Sequence, residues 1–147
     1  MTKTLKIALA DDDEIELSGL IGRLKSVCLE RGIDTDITKV SDGTELVDVV
    51  SENQYNLVFT DNQMKEMNGL TATEKIRSSG NKVPVYLLSK NMIPENTWKK
   101  AGCSGYIQKP LSYDSPESMG IFMGDTQERI LKEFDAKLRK VIGASCK

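Results

Sequence analysis

Apolar residues come in short bursts along this chain, and the bursts alternate between two periods. Leu5 to Ala10 is a short apolar run that ends in Asp11-Asp12-Asp13. It is too short for a helix core and predicts a buried strand. Leu17, Leu20, Ile21, Leu24 and Cys28 then recur at three- and four-residue spacing, the stripe of an amphipathic helix, and Gly32 supplies its stop. Ile33 to Val40 alternates apolar and polar (Ile33, Thr35, Ile37), as a strand with one open face near a sheet edge does. Ser41-Asp42-Gly43 turns the chain into a second helix carrying Leu46, Val47, Val49 and Val50.

The alternation continues to the end. Tyr55 to Thr60 predicts a third strand, again closed by an aspartate, Asp61. The loop Asn62 to Gly69 leads to a short helix through Ile76, stopped at Ser78-Ser79-Gly80. Val83 to Ser89 predicts a fourth strand, with Pro84 near its start where a missing ladder donor is tolerable. Pro94 opens a helix to Ala101 with Gly102 as its stop, and Ser104 to Gln108 is a fifth strand followed by Lys109-Pro110. The last helix is expected over Thr126 to Ile142, with Ile130, Phe134, Leu138, Val141 and Ile142 on one stripe. Asp125 and Glu128 have the spacing of a capping box, and Gly143 ends the helix.

Successive βα units of this size imply an α/β fold: an open parallel sheet with helices on both faces, since crossovers are right-handed. Ligands of such sheets bind beyond the carboxyl ends of the strands. Asp11 and Asp12 follow the first strand, Asp61 the third, Ser89 the fourth and Lys109 the fifth. All five therefore converge on one pocket.

Composition narrows the chemistry. The 147 residues suit a single domain, 1–147, and a formal net charge of −2 with scattered lysines gives no footprint for direct nucleic-acid contact. No apolar run approaches the ~20 residues of a membrane span, and three aspartates arrive before any signal-peptide core could form. Cys28, Cys103 and Cys146 are odd in number and widely spaced, the pattern of thiols in a reducing, cytoplasmic setting. The chain has no histidine, which removes histidine bases, histidine-ligated metals and phosphohistidine carriage.

Three clustered carboxylates repel one another unless a cation intervenes. A hard divalent ion with oxygen ligands resolves the conflict, and Mg2+ is the natural intracellular choice. Such an ion also neutralises charge during in-line phosphoryl transfer. Asp61, alone at its strand end, is the carboxylate nucleophile of such a site; Ser89 and Lys109 are suited to phosphoryl oxygens. Taken singly, an Asp at a strand end is more often a cap or turn former, and that is the expected role of Asp13. The joint arrangement is what favours chemistry.

The segments LKIALADDDE, YNLVFTDNQMKEMNGL, VPVYLLSK and GYIQKP, in this order over about residues 4–111, resemble the response-regulator receiver domain of two-component signalling. The resemblance implies a flavodoxin-like doubly wound sheet of five parallel strands in the order 2-1-3-4-5. It implies Asp61 as phosphoacceptor, Asp11 and Asp12 as the acidic pair holding Mg2+, and the Gln63 backbone carbonyl as a further metal contact. Ser89 matches the switch hydroxyl, Tyr106 the rotating aromatic switch, and Lys109 the phosphate-pairing lysine. The implied partners are a sensor histidine kinase or phosphotransfer protein, then an unnamed downstream protein or a second copy. Catalysis is confined to the domain's own phosphorylation and dephosphorylation, so it is a signalling receiver rather than an enzyme.

Three features depart from the family pattern. Lys65 stands where the family usually has proline in the loop after the acceptor. Lys90, directly after Ser89, stands where a small residue is usual; such a cation shields the acyl phosphate, attracts anionic phosphodonors, or points into water. Residues 112–124 form an unusually long connection carrying Met119, Ile121, Phe122 and Met123, expected either to meet a partner beside the last helix or to patch the core. No output domain is expected after the last helix, leaving a single-domain regulator or a receiver cut from a longer protein. Rival functions fit less well. A binding-only pseudo-receiver usually lacks the acceptor or the acidic pair. A haloacid-dehalogenase-type phosphatase places its nucleophile first, and a flavin carrier needs a phosphate loop after the first strand.

Overall fold

The computed structural model describes the backbone of residues 3–110, 113 and 124–146, and the side chains of all of these but 124–128. Five strands, β1 (Lys3–Ala10), β2 (Ile33–Val40), β3 (Leu57–Asp61), β4 (Val85–Ser89) and β5 (Gly105–Gln108), alternate with five helices. These are α1 (Glu14–Glu30), α2 (Gly43–Glu52), α3 (Gly69–Ser78), α4 (Glu95–Ala101) and α5 (Gly124–Ser145). Every strand pairing is parallel and the order is β2-β1-β3-β4-β5, the doubly wound sheet expected. β2 is an edge strand, which explains its alternating polarity.

Alternation along β1 sorts its residues between two cores. Leu5, Ile7 and Leu9 pack with Leu57, Phe59, Leu88 and Ile107 under α1 and α5, whose Leu20, Leu24, Phe134 and Leu138 fill the same layer. Ala8 and Ala10 face the other way, onto Val58, Val85 and the α2 and α3 residues Leu46, Val50, Ala72 and Ile76. The alanines let α2 and α3 approach closely; the larger residues carry the α1/α5 face.

Some boundaries differ from expectation, each for a local reason. β4 begins at Val85 because Pro84 has no N–H; its carbonyl still accepts from Val58 N at 2.9 Å. β3 begins at Leu57, while Asn56 imitates a ladder residue: its amide donates to the Lys6 carbonyl and its Oδ1 accepts from Lys6 N, both at 2.8 Å. α5 does not stop at Gly143 but runs to Ser145, since Val141, Ile142 and Cys146 pack on the α1 side of the core and hold the final turn. The side chains of the capping pair Asp125/Glu128 lie outside the described residues, as does the segment 112–124 apart from Tyr113 and the backbone of Gly124; the helix backbone already begins at Gly124, ahead of the expected Thr126. No helix among the described residues is long and apolar enough to cross a membrane.

Helix caps place the loops around the carboxyl end of the sheet. Asp13 Oδ1 accepts from Ile15 N and Glu16 N, Asp42 from Glu45 N, and Asn68 from Thr71 N. Asp13 is thus a cap, as expected. Gly69, which opens α3, sits where an added Cβ would lie 2.4 Å from the Asp61 carbonyl, so only glycine lets α3 start against the end of β3.

Candidate functional site

The three aspartates meet. Carboxylate oxygens of Asp11, Asp12 and Asp61 all lie within 4.8 Å of one another. Parallel register makes this so: Ala10 pairs with Thr60, so Asp11 and Asp61, the next residue of each chain segment, lie side by side at the carboxyl edge of the sheet. Asp11 is buried, Asp61 half-buried and Asp12 exposed. Burial pushes the Asp61 carboxyl up to about 6; Lys109 pulls it down and the Asp11 charge adds to the rise. Asp11 is raised too, mainly by burial, although the Asp13 amide and Lys109 oppose this.

Lys109 lies at the centre with 3% of its surface exposed. Its Nζ donates to Glu16 Oε2 at 2.5 Å and Asp11 Oδ2 at 3.1 Å, and stands 3.4 Å from Asp61 Oδ1. Burial works against its charge, but Glu16 and Asp61 outweigh that and lift its pKa above the ordinary lysine value. A buried ammonium with three carboxylate neighbours is firmly cationic.

Ser89 is buried at the end of β4, its carbonyl accepting from Lys109 N at 2.9 Å and its Oγ from Asn91 N at 3.1 Å. Tyr106 is half-buried on β5, and its hydroxyl donates to the carbonyls of Asn91 at 2.9 Å and Ser89 at 3.3 Å. Serine, β4–α4 loop and tyrosine thus form one hydrogen-bonded unit. Lys90 turns back over the rim to pair with Glu16 Oε1. Gln63 and Lys65 are exposed on the loop after Asp61. That loop closes on itself, with the Asn62 carbonyl accepting from Gly69 N at 3.0 Å.

A family model for the response regulator receiver domain matches residues 7–117. The chain belongs to that family. It is a receiver domain of two-component signalling, a class that works with histidine kinases or phosphotransfer proteins. Among curated relatives, the transcription factor SKN7 of Saccharomyces cerevisiae is 26% identical over 121 residues, covering 81% of this chain and 18% of the relative. The two-component response regulator ORR41 of Oryza sativa subsp. japonica is 28% identical over 125 residues, covering 82% and 93%. The chain spans between 3% and 18% of the length of the first five curated relatives. Chemotaxis response regulator CheY4 of Vibrio cholerae superposes with a TM-score of 0.63 at 15% identity, covering 92% of this chain and 99% of that one. The receiver domain of a Pseudomonas aeruginosa sensor histidine kinase, solved with magnesium in its active-site cleft, gives 0.63 at 22% identity, covering 90% and 98%.

Two residues at this receiver's site escaped the sequence reading. Glu16 stands three residues after Asp13, the spacing of a capping box, so its pattern points to a helix start. In the fold the Asp13 amide is taken by Asp11 Oδ1 at 3.0 Å, and Glu16 turns to Lys109 and Lys90 instead. Tyr113 is buried against Gly19 of α1 and Phe134 of α5, and its carbonyl accepts from Arg23 Nε at 3.0 Å. No spacing rule links it to those partners.

Proposed function

We propose that this receiver takes a phosphoryl group onto Asp61 from a phosphohistidine donor and, so modified, presents a changed surface to a protein partner or a second copy. The convergence of Asp11, Asp12 and Asp61 around the Lys109 ammonium carries this reading. Hard carboxylate oxygens, one of them exposed at the entrance, are a donor set that suits Mg2+. Asp11, Asp12 and Asp61 would hold it, with the Gln63 backbone carbonyl as a further donor. When bound, the ion offsets the charge on the transferring phosphoryl group.

The chain's own groups divide the rest. An Asp61 carboxylate oxygen attacks phosphorus; the O–P bond forms as the P–N bond of phosphohistidine breaks, and the bonding pair leaves on the imidazole. With its pKa near 6, Asp61 is mostly ionised at pH 7 and available as nucleophile. Lys109 pairs with one phosphoryl oxygen and the Ser89 hydroxyl donates to another. Movement of Ser89 disturbs the bonds that Tyr106 makes to Ser89 and Asn91, which carries the change to the β4–α4 loop.

Intact mass after incubation with acetyl phosphate tests this reading. A single Mg2+-dependent phosphoryl gain, absent in Asp61→Asn, is expected. A gain that survives Asp61→Asn, or none at all, rules the mechanism out.

A further inference from the structure

Among the described residues, Glu16 is the one carboxylate at the site that the phosphoacceptor reading leaves without a task. It sits in the first turn of α1 with 17% of its side chain exposed, and makes the shortest contact that Lys109 has, 2.5 Å. Asp11 and Asp61, the other carboxylates beside Lys109, are required as metal donors. Glu16 is not. Its second oxygen pairs with Lys90, so one carboxylate joins the lysine beneath the acceptor to the lysine at the rim.

We propose that Glu16 is a positioning residue that holds Lys109 back in the unphosphorylated protein and so sets how readily the domain accepts a phosphoryl group. This rests on the receiver reading above. An ammonium has three protons to donate, and in this structure Glu16, Asp11 and Asp61 surround it. An arriving phosphoryl oxygen must displace one of them, and Glu16 is the partner whose loss leaves the metal donors in place. Lys90 competes with Lys109 for the same carboxylate and weakens the hold. It therefore acts through Glu16, not by facing the acyl phosphate itself.

Opposite signs follow for the two residues, which a merely structural ion pair does not give. Glu16→Gln, which keeps shape and removes the charge, should accelerate phosphorylation by acetyl phosphate roughly three- to tenfold, the loss of one charged competitor. Lys90→Ala should slow it in the natural background and have no effect beside Glu16→Gln. Glu14→Gln is the control for general repulsion of an anionic donor, because Glu14 is exposed two residues earlier in the same turn and makes no contact with Lys109. In metal-free protein, NMR of the Lys109 Nζ group should show a changed environment in Glu16→Gln and the natural one in Glu14→Gln. An equal acceleration in Glu14→Gln, an unchanged or slower Glu16→Gln, or a Lys90→Ala effect that persists beside Glu16→Gln overturns the proposal. If the unsubstituted chain takes no phosphoryl group, the phosphoacceptor reading itself fails, and this one with it.

Discussion

At the scale of the residue, Asp61 works against the fold that holds it. Its carboxyl is raised from the ordinary range to about 6 by burial, so ionising it costs more in the folded than in the unfolded chain. The penalty is absent below pH ~4, grows as the pH rises to 6 and is complete above that. Asp61→Asn removes it. In metal-free buffer that variant should be more stable than the natural chain by about 2–3 kcal/mol at pH 7 and close to it at pH 3. Urea melts at the two pH values check this, and a variant less stable at pH 7 would contradict it. Tyr113 carries a second residue-scale cost: its hydroxyl is buried with no hydrogen-bond partner among the described residues. Tyr113→Phe keeps the packing on Gly19 and Phe134 and should leave stability unchanged or raise it by up to about 1 kcal/mol in thermal melts. The aspartates, Ser89 and Lys109 were legible because each stands at or just past the carboxyl end of a strand. Glu16 was not, because a side chain that reaches across from α1 to β5 leaves no mark in local spacing.

At the scale of the element, patterns held wherever the residue's own chemistry set the boundary. Asp13, Asp42 and Asn68 cap the helices they precede, and Gly102 ends α4 with φ 100°, where an added Cβ would sit 2.6 Å from Arg77 Cγ. The pattern failed where tertiary contacts decide. Gly143 looks like a stop, yet Val141 and Ile142 are drawn into the α1/α5 core and carry the helix through it. A glycine inside a helix pays backbone entropy that alanine does not. Gly143→Ala should therefore stabilise the chain by about 0.5–1 kcal/mol, since the nearest neighbour of the new methyl is the movable Arg31 guanidinium at 3.3 Å. Thermal melts of Gly143→Ala check this. Destabilisation there would mean that the guanidinium cannot yield.

At the scale of the whole molecule, the sheet brings like charges together at one end, and a cation should repay that cost in global stability. On the proposed reading Mg2+ would bind only where Asp11, Asp12 and Asp61 are assembled, and would stabilise the folded state by mass action, by about 2.7 kcal/mol at a hundred times its dissociation constant. For a domain of this size that corresponds to a rise in Tm of about 8 °C. Adding EDTA should reverse it. Because Asp61 binds a proton near pH 6, the gain should shrink as pH falls from 7 to 5, protons displacing the metal. Asp12 isolates the effect: it is exposed, and Lys109's ion pairs within the site run to Asp11, Glu16 and Asp61. Asp12→Asn should leave metal-free stability within about 0.5 kcal/mol of the natural chain while abolishing the Mg2+-dependent rise. Melting curves with and without Mg2+ at pH 7 and 5 decide the matter. A rise that survives Asp12→Asn, or one that grows on acidification, would place the ion elsewhere than between these three carboxylates.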